Sequence, residues 1–136
     1  MSDTDTVRRF LARRGSPDFV VNAGLPGLVR RWNQTARQVR RGYRMGLEEY
    51  LNDLDGRQLI AETLPLATPA ERKKLRSRVL EADTVFKTHS TAVRSCLWGA
   101  REAKRRGWTS RKNWWYYRIP AAPGRPLKVD LADQYD

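Results

Sequence analysis

Residues 68–107 read TPAERKKLRSRVLEADTVFKTHSTAVRSCLWGAREAKRRG, and the spacing of their apolar side chains sets the expected architecture. Thr68 is a helix N-cap, Pro69 takes the first helical position, and Glu71 occupies the third. After it, Leu75, Val79, Ala82, Phe86, His89, Val93, Cys96 and Ala100 alternate steps of four and three. That seam has a period of about 3.5 residues, runs to Gly107, and calls for an antiparallel partner helix. The short loop Pro65-Leu66-Ala67 makes the preceding segment that partner.

The preceding segment fits. From Leu28 to Leu64, Trp32, Ala36, Val39, Tyr43, Leu47, Tyr50 and Leu54 step by three or four residues, one stripe of a helical period. Asp55-Gly56 interrupts it, with Asp55 as a second cap and Gln58 reaching back, so a kink or restart is expected there. Gly42 and Gly46 form a small-residue pair that reads as a tight helix crossing. Upstream, residues 6–14 carry Val7, Phe10 and Leu11 on one side of a short helix that Gly15 stops. Ser16-Pro17-Asp18 begins a further turn carrying Phe19 and Val20, and Pro26-Gly27 punctuates the entry to the long helix. Downstream, residues 108–136 are an aromatic segment and tail. Trp114, Trp115, Tyr116, Tyr117 and Ile119 are β-prone, and Pro123, Gly124 and Pro126 argue for an extended or turning course.

The expected fold is therefore mainly α, in one domain spanning 1–136. A long antiparallel hairpin (28–64 and 69–106) carries a short N-terminal helix and an aromatic C-terminal strand or extended segment. Each arm would reach roughly 55 Å at 1.5 Å per residue. Val, Ile, Leu and Phe make up only 28 of 136 residues, close to the roughly 20% below which charged chains tend towards disorder. Five Trp and five Tyr supply the missing apolar area. At least half of the rings in 108–118 are accordingly expected in the core.

The chain carries 27 Lys plus Arg against 15 Asp plus Glu, a formal charge of +12. That balance points to a polyanionic partner: nucleic acid, anionic lipid or an acidic protein. The charge comes in blocks, which usually mean surfaces. Residues 48–68 are acidic while 1–47 and 94–128 are strongly basic. In an antiparallel hairpin, residues whose numbers sum to about 133 lie opposite each other. Glu48, Glu49, Asp53 and Asp55 would then face Arg72, Lys73, Lys74, Arg76 and Arg78, and select the pairing. At the other pole, Arg30, Arg31, Arg37, Arg40, Arg41 and Arg44 would meet Arg94, Arg101, Lys104, Arg105 and Arg106, with Glu102 alone to offset them. Like charges gathered at one pole cost stability, which favours an external anion. Arginine outnumbers lysine 21 to 6, and its planar fork suits phosphate.

Arg111 and Lys112 extend the basic surface, interleaved with rings. Exposed, Trp108, Trp115 and Tyr117 would be a stacking platform for single-stranded nucleic acid; buried, they would cap the hairpin groove. Alternation along a strand would put Trp114 and Tyr116 on one face and Trp115 and Tyr117 on the other.

Other chemistry finds little support. One cysteine excludes an intramolecular disulfide and a Cys-rich metal site, and one histidine excludes a His cluster. His89 and Cys96 are seam positions about 10 Å apart, too far for a nucleophilic pair, and His89 is expected to bond Tyr43. Asn52-Asp53-Leu54-Asp55-Gly56 lacks the ligand spacing and closing Glu of a calcium loop. No phosphate loop, dinucleotide fingerprint or helix-turn-helix break is present. No apolar run approaches the roughly 18 residues of a membrane span, and the polar N-terminus fits no targeting signal, so a reducing cytoplasmic location is expected.

The expected function is non-enzymatic: phosphate-backbone nucleic-acid binding of low sequence specificity, or association with a ribonucleoprotein. No cofactor or metal is called for. The alternative is a helical interaction module, such as an adaptor, inhibitor or accessory subunit. Its cationic and aromatic surface would meet an acidic protein, with Trp, Tyr and Arg as hot spots.

Overall fold

The computed structural model describes residues 3–135, and the side chains of residues 6–134. The protein is mainly α, as its periodicity demands, with six α-helices and one small two-stranded sheet among the described residues. Helix α1 (Asp3–Arg13) buries Val7 and Leu11 and ends at Gly15, whose φ of 77° suits glycine alone. Helix α2 (Asp18–Arg41) breaks internally at Gly24 (φ 62°, ψ −157°) and then restarts. The break explains how Pro26 is tolerated: its missing N–H falls in the first turn of the restarted helix, where no intrahelical partner is due. Beyond it, Leu25, Leu28, Val29, Trp32, Ala36 and Val39 line the buried face.

The expected helix 28–64 is two helices. The break falls at residues 42–46, and the Asp55-Gly56 pair stays helical inside α3 (Leu47–Thr63). Gly42 leaves α2 with φ 104°, a conformation its neighbours could not adopt, and Tyr43 then turns inward. Gly42 and Gly46 are thus helix terminators and not a crossing motif. At Gly46 a Cβ would lie 2.8 Å from the Asp130 carboxylate, which instead accepts a hydrogen bond from Leu47 N–H and so caps α3.

Helix α4 (Pro69–Thr88) starts as its sequence requires, with the Thr68 hydroxyl accepting from Glu71 N–H at 3.1 Å. The expected continuation to residue 106 fails, because the chain leaves the helix at His89. Ser90–Ala92 becomes strand β1, paired antiparallel with β2 (Arg118–Pro120), Thr91 opposite Ile119. Helix α5 (Ala100–Arg106) is a separate element that ends at Gly107. A seven-residue period cannot distinguish a continuous helix from two helices joined by a strand. The Thr88-His89-Ser90-Thr91 cluster has poor helix propensity, and the aromatic segment supplies a strand partner. Of the seam, Leu75, Val79, Ala82 and Phe86 are core, whereas Ala100 is exposed.

The hairpin partner also differs. Helix α4 packs chiefly on α2 and not on α3, with Trp32 and Phe86 ring centroids 4.9 Å apart. Both helices finish at the same end of the molecule, where residues 120–124 bridge them. Ala121 N–H donates to the His89 carbonyl, and Gly124 N–H to the Tyr43 carbonyl. Helix α3 contributes one cross-link to α4, the buried pair Arg57–Asp83, in which both Nε and a terminal nitrogen donate to the carboxylate at 3.0 Å. Asp83 also accepts from the Trp32 indole at 2.8 Å.

The tail does not stay extended. Trp114–Tyr117 forms a 3₁₀ turn, β2 covers only three residues, and α6 (Arg125–Tyr135) follows with Pro126 at its second position. Pro126 there is a helix start, not a breaker. The 3₁₀ turn also cancels the two-face alternation, so Trp115 and Tyr116 are both buried while Trp114 and Tyr117 are half-buried. Of the five rings in 108–118 only Trp115 and Tyr116 are buried, fewer than the expected half, and Trp108, Trp114 and Tyr117 pack against the core partly exposed. Leu127 of α6 is fully buried, and α6 packs on α3.

Candidate functional site

The acidic side chains explain why so much positive charge is left outside. Asp53 accepts from the Tyr43 hydroxyl at 2.6 Å, and Asp55 accepts from Tyr116 (2.6 Å) and the Trp98 indole (3.0 Å). Asp83 holds Arg57, Glu62 holds Arg14, and Asp130 caps α3. Burial pushes the Asp53 carboxyl up, against the opposing pull of the Tyr43 hydroxyl and Arg31. It pushes Asp55 up likewise, against its two hydrogen bonds. Tyr43 and Tyr116 are raised far above the ordinary phenol range, first by burial and then by the adjacent carboxylates. Asp53 and Asp55 therefore do not face Arg72, Lys73, Lys74, Arg76 and Arg78. None of these five bases takes part in an ion pair among the described residues, and Arg72 instead donates to the Pro65 and Ala67 carbonyls.

The expected single basic pole is divided into two surfaces. On α2, Arg30, Arg37 and Arg41 lie along one line of the helix at spacings of seven and four, with Arg31, Arg40 and Arg44 to either side. All six are exposed, and none takes part in an ion pair among the described residues. Arg31 does lie over the exposed Phe19 ring. Arg44 touches the tail where a Cβ on Gly124 would meet its backbone, so the exposed Arg125 and Lys128 join this end. Glu48 and Glu49 also lie here, on the first turn of α3, where a helix N-terminus favours negative charge.

The second surface carries Arg101, Lys104, Arg105 and Arg106 on α5, with Arg111 and Lys112 in the following turn, all exposed. Because α4 ends at residue 88, α5 is free to reach α3, where its Glu102 and Arg106 line a cleft with Asp55, Gln58 and Leu59. Glu102 is bound by both Arg105 (2.7 Å) and Arg106 (2.8 Å), which hold its carboxyl below the usual range. A continuous hairpin arm would set these bases beside α2; with α4 ending at Thr88 they belong to a separate helix.

The proposed stacking rings also part company. Trp115 is buried beneath the Arg57 guanidinium, 4.3 Å from the ring centre, so it is core. Tyr117 is half-buried and spends its hydroxyl on the Trp108 carbonyl. Trp108 stacks on Tyr116 with centroids 4.2 Å apart and Arg106 above it, and lines a cleft. Sequence reasoning missed Trp98, which is 40% exposed in the same cleft. Its signal was present: Trp98 is a large apolar residue off the seam, next to a glycine. Gln58 does not reach back to cap a restarted helix but accepts from the Asn113 side chain at 2.9 Å.

His89 is the half-buried C-cap of α4 and makes no bond to Tyr43, whose hydroxyl goes to Asp53. Burial raises the Cys96 thiol, which leaves little thiolate at neutral pH. Among the described residues, no group of three His, Cys, Asp or Glu is placed to hold a metal ion, and no helix is long and apolar enough to cross a membrane. Comparison of the chain with protein-family models, with curated proteins and with solved structures found no match.

Proposed function

We propose that this protein is a non-enzymatic nucleic-acid-binding protein that grips the phosphate backbone with Arg30, Arg37, Arg40, Arg41 and Arg44. The observation that carries this reading is the asymmetry of charge use. Asp53, Asp55, Asp83 and Asp130 are committed inside the fold, while the α2 arginines are exposed and in no ion pair among the described residues. Arg30 to Arg41 covers roughly 16 Å of helix axis, enough to follow several phosphates along one strand. Low sequence specificity follows, since phosphate contacts position a protein without reading bases.

The test is fluorescence anisotropy with labelled single- and double-stranded oligonucleotides over a salt series. Three to five phosphate contacts on duplex DNA predict an affinity loss of about 40- to 500-fold between 50 and 200 mM salt. Changing Arg37, Arg41 and Arg44 together to Ala should lower the log–log slope by about 2.7. No binding at low salt, or a slope the triple variant leaves unchanged, overturns the reading and turns the search to an acidic protein partner.

A further inference from the structure

A cleft of about 540 Å³ opens between the α1–α2 turn, the middle of α3 and the segment from Trp98 to Tyr116. That is within the roughly 300–1,000 Å³ typical of small-ligand sites. A second cavity of about 300 Å³ shares Ser16, Asp55 and Leu59 with it and continues along α3 past Gly56. The walls combine three chemistries.

The first is aromatic surface, from the partly exposed Trp98 and from Trp108. The second is a hydrogen-bonding pair on the α3 floor. Asp55 Oδ1 receives both the Trp98 indole and the Tyr116 hydroxyl, while Oδ2 accepts nothing from the protein among the described residues. One turn on, Gln58 Oε1 is engaged by Asn113, which fixes the amide and leaves its NH₂ without a protein acceptor among the described residues. The third is guanidinium. Arg14 and Arg106 line the cleft, each bonded to one glutamate (Glu62 and Glu102) and each retaining further N–H donors.

Gly56 lines that second cavity, and with no side chain it leaves the α3 backbone open towards it: a Cβ there would meet no protein atom within 4 Å.

A flat ring to stack, one acceptor and one donor for its edge, and guanidinium for a phosphate describe a nucleotide. We infer that the cleft takes one unstacked nucleobase of a single strand. The base stacks on Trp98, its edge meets Asp55 Oδ2 and the Gln58 amide, and its phosphate meets Arg14 and Arg106. This deepens the nucleic-acid reading and rests on it, with the α2 arginines holding the flanking backbone. A free nucleoside monophosphate offers the same chemistry, so the test separates the two sources.

Three probes are titrated into the full chain: a short single strand, the same strand with its central bases removed as abasic sites, and the four nucleoside monophosphates. Wild type is compared with Trp98→Leu, Asp55→Asn and Arg106→Ala, each checked for a wild-type melting transition. Asp55→Asn keeps the acceptor for Tyr116 and Trp98 but puts a donor where Oδ2 stood. The intact strand should bind about ten- to a hundredfold more tightly than the abasic one. Trp98→Leu and Asp55→Asn should erase that ratio by bringing intact-strand affinity down to that of the abasic strand. Equal binding of the two strands overturns the cleft inference and leaves the backbone reading intact. Loss of both strands overturns both, unless the monophosphates alone bind and lose affinity in Trp98→Leu, which assigns the cleft to a free nucleotide. Arg106→Ala removes an exposed side chain that lies over Trp108 and pairs with Glu102, and should lower affinity while the melting transition stays that of wild type.

Discussion

Asp83→Ala should be among the most damaging single substitutions in this protein. Asp83 is 6% exposed and satisfies two partners at once: the Arg57 fork through two bonds of 3.0 Å, and the Trp32 indole at 2.8 Å. Removing the carboxylate leaves a guanidinium whose side chain is 11% exposed without its counter-charge, and orphans an N–H in the centre of the core. Breaking one side of a buried ion pair costs about 3–5 kcal/mol, a large part of the roughly 5–15 kcal/mol that keeps a domain folded. With 136 residues and about 2.1 cal/mol/K of unfolding entropy per residue, each kcal/mol moves Tm by roughly 3.5 °C. The expected fall is thus about 10–17 °C in a far-UV circular dichroism melt. A double-mutant cycle sharpens the test. Arg57→Met with Asp83→Leu removes both charges together, so its loss should be smaller than the sum of the single losses, by about 0.5–3 kcal/mol. Arg57→Met alone also forfeits the stacking of Arg57 on Trp115, which is why Asp83 is the cleaner perturbation. A Tm for Asp83→Ala within about 3 °C of wild type, or strictly additive losses in the cycle, would refute the argument that this pair locks α3 to α4.

Thr68→Ala removes the side-chain acceptor for Glu71 N–H, and should cost about 1 kcal/mol in urea denaturation, with an unchanged m-value. Gly124→Ala would set a Cβ 2.7 Å from the Tyr43 carbonyl oxygen and 3.1 Å from Arg44 Cα, both backbone atoms that cannot swing aside. It should lower Tm by several degrees, whereas Gly56→Ala, which meets open space on a helix, should raise it; the reverse order in the same melting assay contradicts the packing described. The raised carboxyl of Asp53 gives a pH prediction. The folded state holds that proton more tightly than the unfolded state, so the contribution is present below the ordinary aspartate value of about 3.9 and is lost as pH rises through the raised one. Asp53→Asn, which still accepts from Tyr43, should gain on wild type as pH rises above the ordinary aspartate value of about 3.9; a relative stability that declines on that rise would show the sign to be wrong.

Local signals in the sequence were reliable where the physics is local. The Thr68 cap, the Pro69 start, the stop at Gly15 and the end of α5 at Gly107 depend on a few neighbouring residues, and each is realised. The apolar stripe of α2 and the first half of the α4 seam are core for the same reason. What failed was inference across the breaks. Gly42 and Gly46 terminate helices because Tyr43, Pro123 and Asp130 claim the chain there, contacts made some 80 residues apart that no periodicity encodes. The seam past Phe86 kept its spacing while the backbone left the helix, because β2 offered Ser90–Ala92 a ladder. Once α4 stopped short, α5 moved to α3, and the expected single pole became two surfaces. The basic residues were legible as exposed charge, but their grouping was not. The cleft was illegible for a related reason: Asp55, Gln58, Trp98 and Trp108 are brought together by that same rearrangement.

The cap that Asp130 places on Leu47 N–H links positions 83 residues apart. At a synthesis rate of roughly 5–20 residues per second, the start of α3 waits about 4–17 s for its acceptor to be made. During that interval Tyr43 and the first turn of α3 lack the tail that seats them, and the half-made protein exposes apolar surface that the finished one hides. A ribosome stalled between these two positions would therefore display an uncapped helix. Such nascent chains should be cut by protease near residues 42–47, and protection should arrive in one step once α6 has emerged.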